Sequence, residues 1–176
     1  MLLNHTPPDE AEGKIADAYA ALPPGVPVPD PLVLHSASPE ILIRQMEFLR
    51  YYMNHPRLDM ELLAMTRYIL SHRLGHQFCY DFNGMILQAA AMMSDEELAT
   101  LRETPESAEI DPERKALLLF ALQVVAAPES VTSKDVDALR DLGWTDEDIF
   151  DMSFHATSFI SSTMLWKAFA GNKSCG

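Results

Sequence analysis

Apolar residues recur at intervals of three and four along most of the chain, the spacing that lines one face of a helix. Ile15, Ala18, Tyr19 and Leu22 keep this spacing, and Thr6 followed by Pro7 supplies a cap and a first position for a helix that carries them. Five prolines within residues 23–31 exclude helix there and predict a stiff, extended connector. Ser38 and Pro39 then open a second helix with Leu42, Met46, Leu49 and Tyr52 on its apolar face, closed before Pro56. Asp59 caps a third, on which Leu62, Thr66, Ile69 and Arg73 form one stripe and Gly75 marks the stop. Phe78, Phe82, Met85, Ile86 and Ala89 predict a fourth helix from residue 76 to about 92.

Beyond it the starts are marked by polar side chains. Ser94 to Glu97 is a capping box for a short fifth helix with Leu98 and Leu101. Asp111 and Pro112 open a sixth, with Leu117, Leu118, Ala121 and Val125 turned inward and Pro128 beyond its end. Thr132 to Asp135 and Thr145 to Asp148 repeat the capping pattern, the first helix stopping at Gly143 and the second running to about Gly171. No segment alternates as a strand bounded by hairpin turns. The expectation is an all-α chain whose residues 1–176 form a single domain, a helical bundle. The last helix is apolar around nearly its whole circumference from Ile149 to Trp166, which places it either through the core or between subunits.

Composition narrows the classes of function. At 176 residues with 48% hydrophobic and 22% charged positions, the chain is a globular one of ordinary size. The net charge of −13 repels phosphate backbones, and no stretch concentrates Lys and Arg, so nucleic acid is not an expected partner. Asp151, His155 and Lys167 interrupt the most apolar helix, so no membrane span is expected. The first residues lack the features of a secretory signal, which predicts a cytoplasmic protein. Cys79 and Cys175 are too few for a disulfide framework or a four-cysteine zinc site.

Candidate chemistry gathers in residues 71–83. Cys79 falls in the first turn of the fourth helix, where unpaired backbone N–H groups and the positive end of the helix dipole favour a thiolate. His76, three residues earlier on the same face, can take the thiol proton, and Asn83 lies four residues further along that face. The competing reading makes Cys79 a small buried hydrophobe. His72, His76 and Cys79 are also zinc-type ligands, but Gly75 breaks the helix between the histidines and nothing selects His155 or Asp81 as a fourth ligand. Neither a metal nor a cofactor is expected. His5, His35 and His55 fall in or beside loops and read as solvated, and His155, in an apolar helix, reads as a core histidine.

A helix, then Gly75, then a short-spaced pair ending in Cys79 resembles the core of the carboxymuconolactone decarboxylase and alkylhydroperoxidase D superfamily. The order of the other segments, above all Asp111 to Asp151, is similar to that of its peroxidase-related members, and the resemblance spans essentially the whole chain. Redox members carry Cys-x-x-Cys-x-x-x-His with a glutamate about one helix earlier. The first cysteine falls on His76, the second on Cys79 and the histidine on Asn83; the glutamate falls on Ala64, with Glu61 one turn before it. The resemblance implies that Cys79 holds the position that attacks peroxide, while the resolving cysteine and proton relay are replaced. It also implies homo-oligomers.

Three functions follow as expectations. The first is a thiol-dependent peroxidase in which Cys79 reduces small hydroperoxides, His76 acts as base, and an external thiol or Cys175 recycles the sulfenic acid. The second is a non-redox enzyme like the lactone decarboxylases, acting on a small lactone or carboxylate with His76 or His72 as base and Arg73 or Arg67 as anchor. The third is a scaffold without catalysis, in which the ten methionines line an adaptable ligand pocket.

Overall fold

Helices begin and end in this protein where local chemistry satisfies the orphan groups of their first and last turns. The computed structural model describes residues 1–22 and 25–171. Among them there are nine α-helices and no strand: α1 (Gly13–Ala20), α2 (Asp30–Leu34), α3 (Pro39–Met53), α4 (Met60–Leu74), α5 (Gln77–Ala90), α6 (Asp95–Glu103), α7 (Pro112–Ala126), α8 (Ser133–Asp141) and α9 (Asp146–Phe169). The all-α expectation holds. Two compact units divide the described residues, one formed by 1–22, 25–55 and 162–171, the other by Pro56–Ser161. None of the described helices is long and apolar enough to cross a membrane.

In the first unit α1 packs along α3, and Ala18, Tyr19, Leu32, Leu42 and Met46 are buried together. A second small cluster joins Leu34, Trp166 and Ala170. Here the start of α1 departs from expectation. Pro8 holds Pro7 extended, at φ −65° and ψ 159°, so Pro7 cannot be a first helical residue and only a 3-10 turn forms over Pro8–Glu10. The chain stays extended through Glu12, and α1 starts at Gly13. Thr6 caps nothing; its N–H donates to Ser36 Oγ at 2.7 Å and its carbonyl accepts from Tyr19 Oη at 2.9 Å. The proline connector ends sooner than expected too, because Pro31 sits at the start of α2, where its missing N–H costs nothing.

The second unit is built around α4. Nine of its residues are buried, from Leu62 to Ser71, so the helix is enclosed on nearly all sides rather than along one stripe, and Arg73 is left exposed at its end. Asp59 Oδ1 accepts from the Leu62 N–H at 2.8 Å to start it. Gly75, at φ 62°, ends it in a Schellman motif: Gly75 N–H donates to the His72 carbonyl at 3.0 Å and His76 N–H to the Ser71 carbonyl at 2.8 Å. That motif turns the chain directly into α5 and fixes His76 at the corner.

α5 then runs against α4 more extensively than any other pair of elements. Gly84 permits the approach, since a Cβ there meets the Tyr68 ring at 3.3 Å. The Ser94–Glu97 capping box opens α6 as expected. Thr145 and Asp148 exchange bonds at the start of α9, where Arg57 Nε also reaches Asp148 at 3.1 Å. Ile149, Met152 and Ala156 of α9 are buried, whereas Phe150 and Phe154 are exposed in the single chain.

Candidate functional site

Because the Schellman turn makes His76 the N-cap of α5, Cys79 occupies the third helical position and the two side chains meet across one turn. His76 makes no side-chain cap bond to the helix. The residue is only 5% exposed, its Nε2 lies 3.6 Å from Cys79 Sγ, and in the tautomer protonated at Nδ1 that nitrogen accepts from the thiol. Cys79 is half-buried. Burial pushes its thiol up to about 11, with the Arg67 guanidinium pulling the other way. The first-turn position was expected to favour a thiolate; desolvation is the larger effect, and the resting thiol is protonated at neutral pH.

Asn83 does not reach the thiol. It is 1% exposed, donates from Nδ2 to the Cys79 carbonyl at 2.7 Å, and accepts from Arg67 Nε at 2.8 Å. It therefore ties the backbone of the cysteine to a cation on α4. His155 stands on the other side of that cation, with Nε2 3.3 Å from an Arg67 terminal nitrogen. Arg67 only donates, so Nε2 accepts and His155 is neutral. Desolvation, the Arg67 charge and an opposing backbone bond at Leu63 together hold His155 down at about 3. Loss of its solvation also lowers Arg67 to about 10, which leaves it charged at neutral pH.

The buried neutral state of His155 makes stability depend on pH. The unfolded chain takes up a proton near the ordinary histidine value, whereas the folded one resists until about 3, so acid favours unfolding within that window. Unfolding free energy is expected to fall by about 2 kcal/mol between about pH 7.5 and about pH 5 from this group. Urea midpoints at the two pH values test it, because His155→Gln, which keeps an acceptor for Arg67 and does not titrate, should flatten the dependence. An equal pH dependence in parent and variant rules the effect out.

The other candidates go elsewhere. His72 is exposed and faces Glu103 at 4.0 Å, so it does not join His76. Ala64 is fully buried, and Glu61 is engaged by Arg114 at 3.3 Å on a groove of about 760 Å³ that none of Cys79, His76 and Asn83 lines. His5, His35 and His55, expected to be solvated, are half-buried in the first unit. Cys175 lies outside the described residues. Among the described residues no group of three or more His, Cys, Asp or Glu side chains could hold a metal ion. Sequence reading passed over one cluster: the stacked rings of Tyr68 and Tyr80, 4.6 Å apart, joined by a 2.9 Å bond between their hydroxyls and a 2.7 Å bond from Arg102 to Tyr80. Its members come from three helices, and no spacing along one helix announces it.

No protein-family model matches the chain, and no curated protein does either. Solved structures do match. One is the crystal structure of an uncharacterized peroxidase-related protein from Silicibacter sp. TM1040, with a TM-score of 0.72, 19% identity, and 82% of this chain and 75% of that one covered. Another is the crystal structure of an alkylhydroperoxidase AhpD core, an uncharacterized peroxidase-related protein from Ralstonia eutropha JMP134, with a TM-score of 0.75, 22% identity, and 94% of this chain and 85% of that one covered. At such identities the likeness is one of fold, and it agrees with the resemblance carried by the sequence: the chain has the all-α fold of the alkylhydroperoxidase D-like proteins.

Proposed function

We propose that this protein is a thiol-dependent peroxidase-type oxidoreductase that reduces small hydroperoxides through Cys79, with His76 as base and Asn83 as the residue that positions the cysteine. The observation that carries the reading is the 3.6 Å approach of Cys79 Sγ to His76 Nε2, to which the peroxidase-related fold neighbours add support. His76 takes the thiol proton as a hydroperoxide binds. Sulfur then attacks the terminal peroxide oxygen: the S–O bond forms, the O–O bond breaks, and the leaving alkoxide takes the proton from His76. Cys79 is oxidised to sulfenic acid and the hydroperoxide reduced to an alcohol. One low-molecular-weight thiol displaces water from the sulfenic acid to give a mixed disulfide, and a second attacks that disulfide, returning Cys79 as the thiol and leaving a disulfide of the two small thiols. A cytoplasmic location, where such thiols are plentiful, fits this cycle.

Hydrogen peroxide followed by dimedone should give a dimedone adduct on the Cys79 peptide of the parent. Cys79→Ser should consume hydroperoxide no faster than buffer. A serine variant as active as the parent rejects the reading.

The raised thiol favours a second reading, in which the same site performs non-redox chemistry on a small carboxylate or lactone and Cys79 is only part of its wall. There His76 is the base and Arg67 the anchor, Arg73 being exposed. Under either reading we propose a homo-oligomer, supported by the exposed apolar side chains of Phe78, Phe82 and Met85 on α5 and of Phe150 and Phe154 on α9.

A further inference from the structure

Among the described residues, Arg67 is a half-buried cation with no anion against it. Five other arginines, Arg44, Arg57, Arg102, Arg114 and Arg140, each stand against a carboxylate. The described partners of Arg67 are all neutral: Asn83 Oδ1, His155 Nε2 and, at 3.7 Å, Met60 Sδ. Among the described residues no carboxylate forms an ion pair with it, in a chain with 26 Asp and Glu against 13 Lys and Arg. A guanidinium taken out of water without a counter-ion is costly, and such charges are ordinarily paired. Here the surroundings keep the charge in place instead of cancelling it. Asn83 holds Nε, and the buried His155 adds an acceptor without adding charge.

The donors that remain define what fits. A guanidinium carries five N–H groups. Nε spends its one on Asn83, and one terminal nitrogen spends one on His155. A sulfur at 3.7 Å is a weak partner, so donors on both terminal nitrogens stay available as a fork, the geometry that matches a carboxylate. The side chain beside them on α4 is the apolar Met60. Met60 is 41% exposed, and Phe82, one turn from Cys79, is 37% exposed and stacked on Phe78.

We propose that Arg67 is an anion subsite beside Cys79, taking the carboxylate of a small organic acid whose apolar body lies against Met60 and Phe82. This deepens the proposed function by naming a substrate class for the Cys79 site, a carboxylate-bearing hydroperoxide. It rests on that site being the place where ligand and thiol meet, and not on the thiol's reaction with peroxide.

Alkylation of Cys79 tests it without any turnover, since iodoacetate and iodoacetamide form the same S–C bond and expel the same iodide, and differ in the carboxylate. Followed on the Cys79 peptide by mass spectrometry, the ratio of iodoacetate to iodoacetamide rates is expected to exceed that of the urea-unfolded chain by about ten- to one hundredfold, the worth of a charge-assisted pair. Benzoate should slow iodoacetate labelling and benzamide should not. Arg67→Gln should bring the ratio to the unfolded value, and Arg67→Lys should keep part of the preference. A ratio equal to that of the unfolded chain, or no protection by benzoate on the parent protein, overturns the proposal; so does a carboxylate from a second copy lying on Arg67, which gives both results. Iodoacetate preference in a protein whose Cys79 resists peroxide leaves the subsite standing and removes the peroxidase reading. Sulfenic acid formed without that preference does the reverse.

Discussion

Replacing His76 by glutamine is expected to slow oxidation of Cys79 by hydrogen peroxide by about 10² to 10⁴ at neutral pH, the range ordinarily lost with a general base. The size of the effect follows from burial. With its thiol pushed up to about 11, Cys79 holds only a minute fraction of thiolate at neutral pH, so the proton has to be removed within the complex. Nε2 at 3.6 Å is the acceptor placed to do that. The pH profile separates a base from a prop. Without an internal base, the variant's rate should climb tenfold per pH unit until close to 11, because hydroxide alone then supplies the thiolate. The parent should not follow that slope. A rapid-quench series across pH with sulfenic acid trapping measures both, and a glutamine variant that oxidises at the parent's rate at neutral pH removes His76 from the mechanism.

That pairing was open to sequence reading because its cause is local. Gly75 followed by His76, with Cys79 three residues on, specifies a left-handed stop and then a first helical turn, and the Schellman bonds from Gly75 and His76 bring about the meeting. The same holds for the helix starts at Asp59, Ser94 and Thr145, where a polar side chain and the N–H it accepts from lie within four residues. Thr6 shows the limit. It has the composition of a cap, but its hydrogen-bond partners are Ser36, thirty residues away, and Tyr19. Tertiary contacts took over a residue that propensity had assigned to a helix.

The deeper half of the site was hidden for the same reason. Arg67 and His155 are 88 residues apart, and only the tertiary approach of His155 on α9 to Leu63 and Arg67 on α4 brings them together. In the sequence Arg67 was one of two arginines on an apolar helix, and His155 was a core histidine. The structure separates the two arginines: Arg73 points to solvent, while Arg67 is gripped between a neutral histidine and Asn83. The thiolate expectation for Cys79 failed through a quantity that periodicity does not carry, the depth of burial of the first turn of α5.

Asn83 joins these halves, and its substitution should therefore have two separable consequences. Asn83→Ala strips the partner from Arg67 Nε and from the Cys79 carbonyl at a position 1% exposed, and is expected to cost about 2 to 4 kcal/mol of unfolding free energy by urea titration. Asn83→Asp keeps an acceptor for Arg67 and loses only the donor to the Cys79 carbonyl, so its stability loss should be smaller. Its electrostatic effect should be larger. An ionised carboxylate at this position neutralises Arg67, pushes the Cys79 thiol further up and occupies the charge that an anionic ligand requires. The aspartate variant should thus stay folded yet lose its preference for iodoacetate and oxidise more slowly than the parent. If it instead keeps both while the alanine variant loses less than about 1 kcal/mol, Asn83 is neither a strut for Cys79 nor the keeper of an open charge on Arg67.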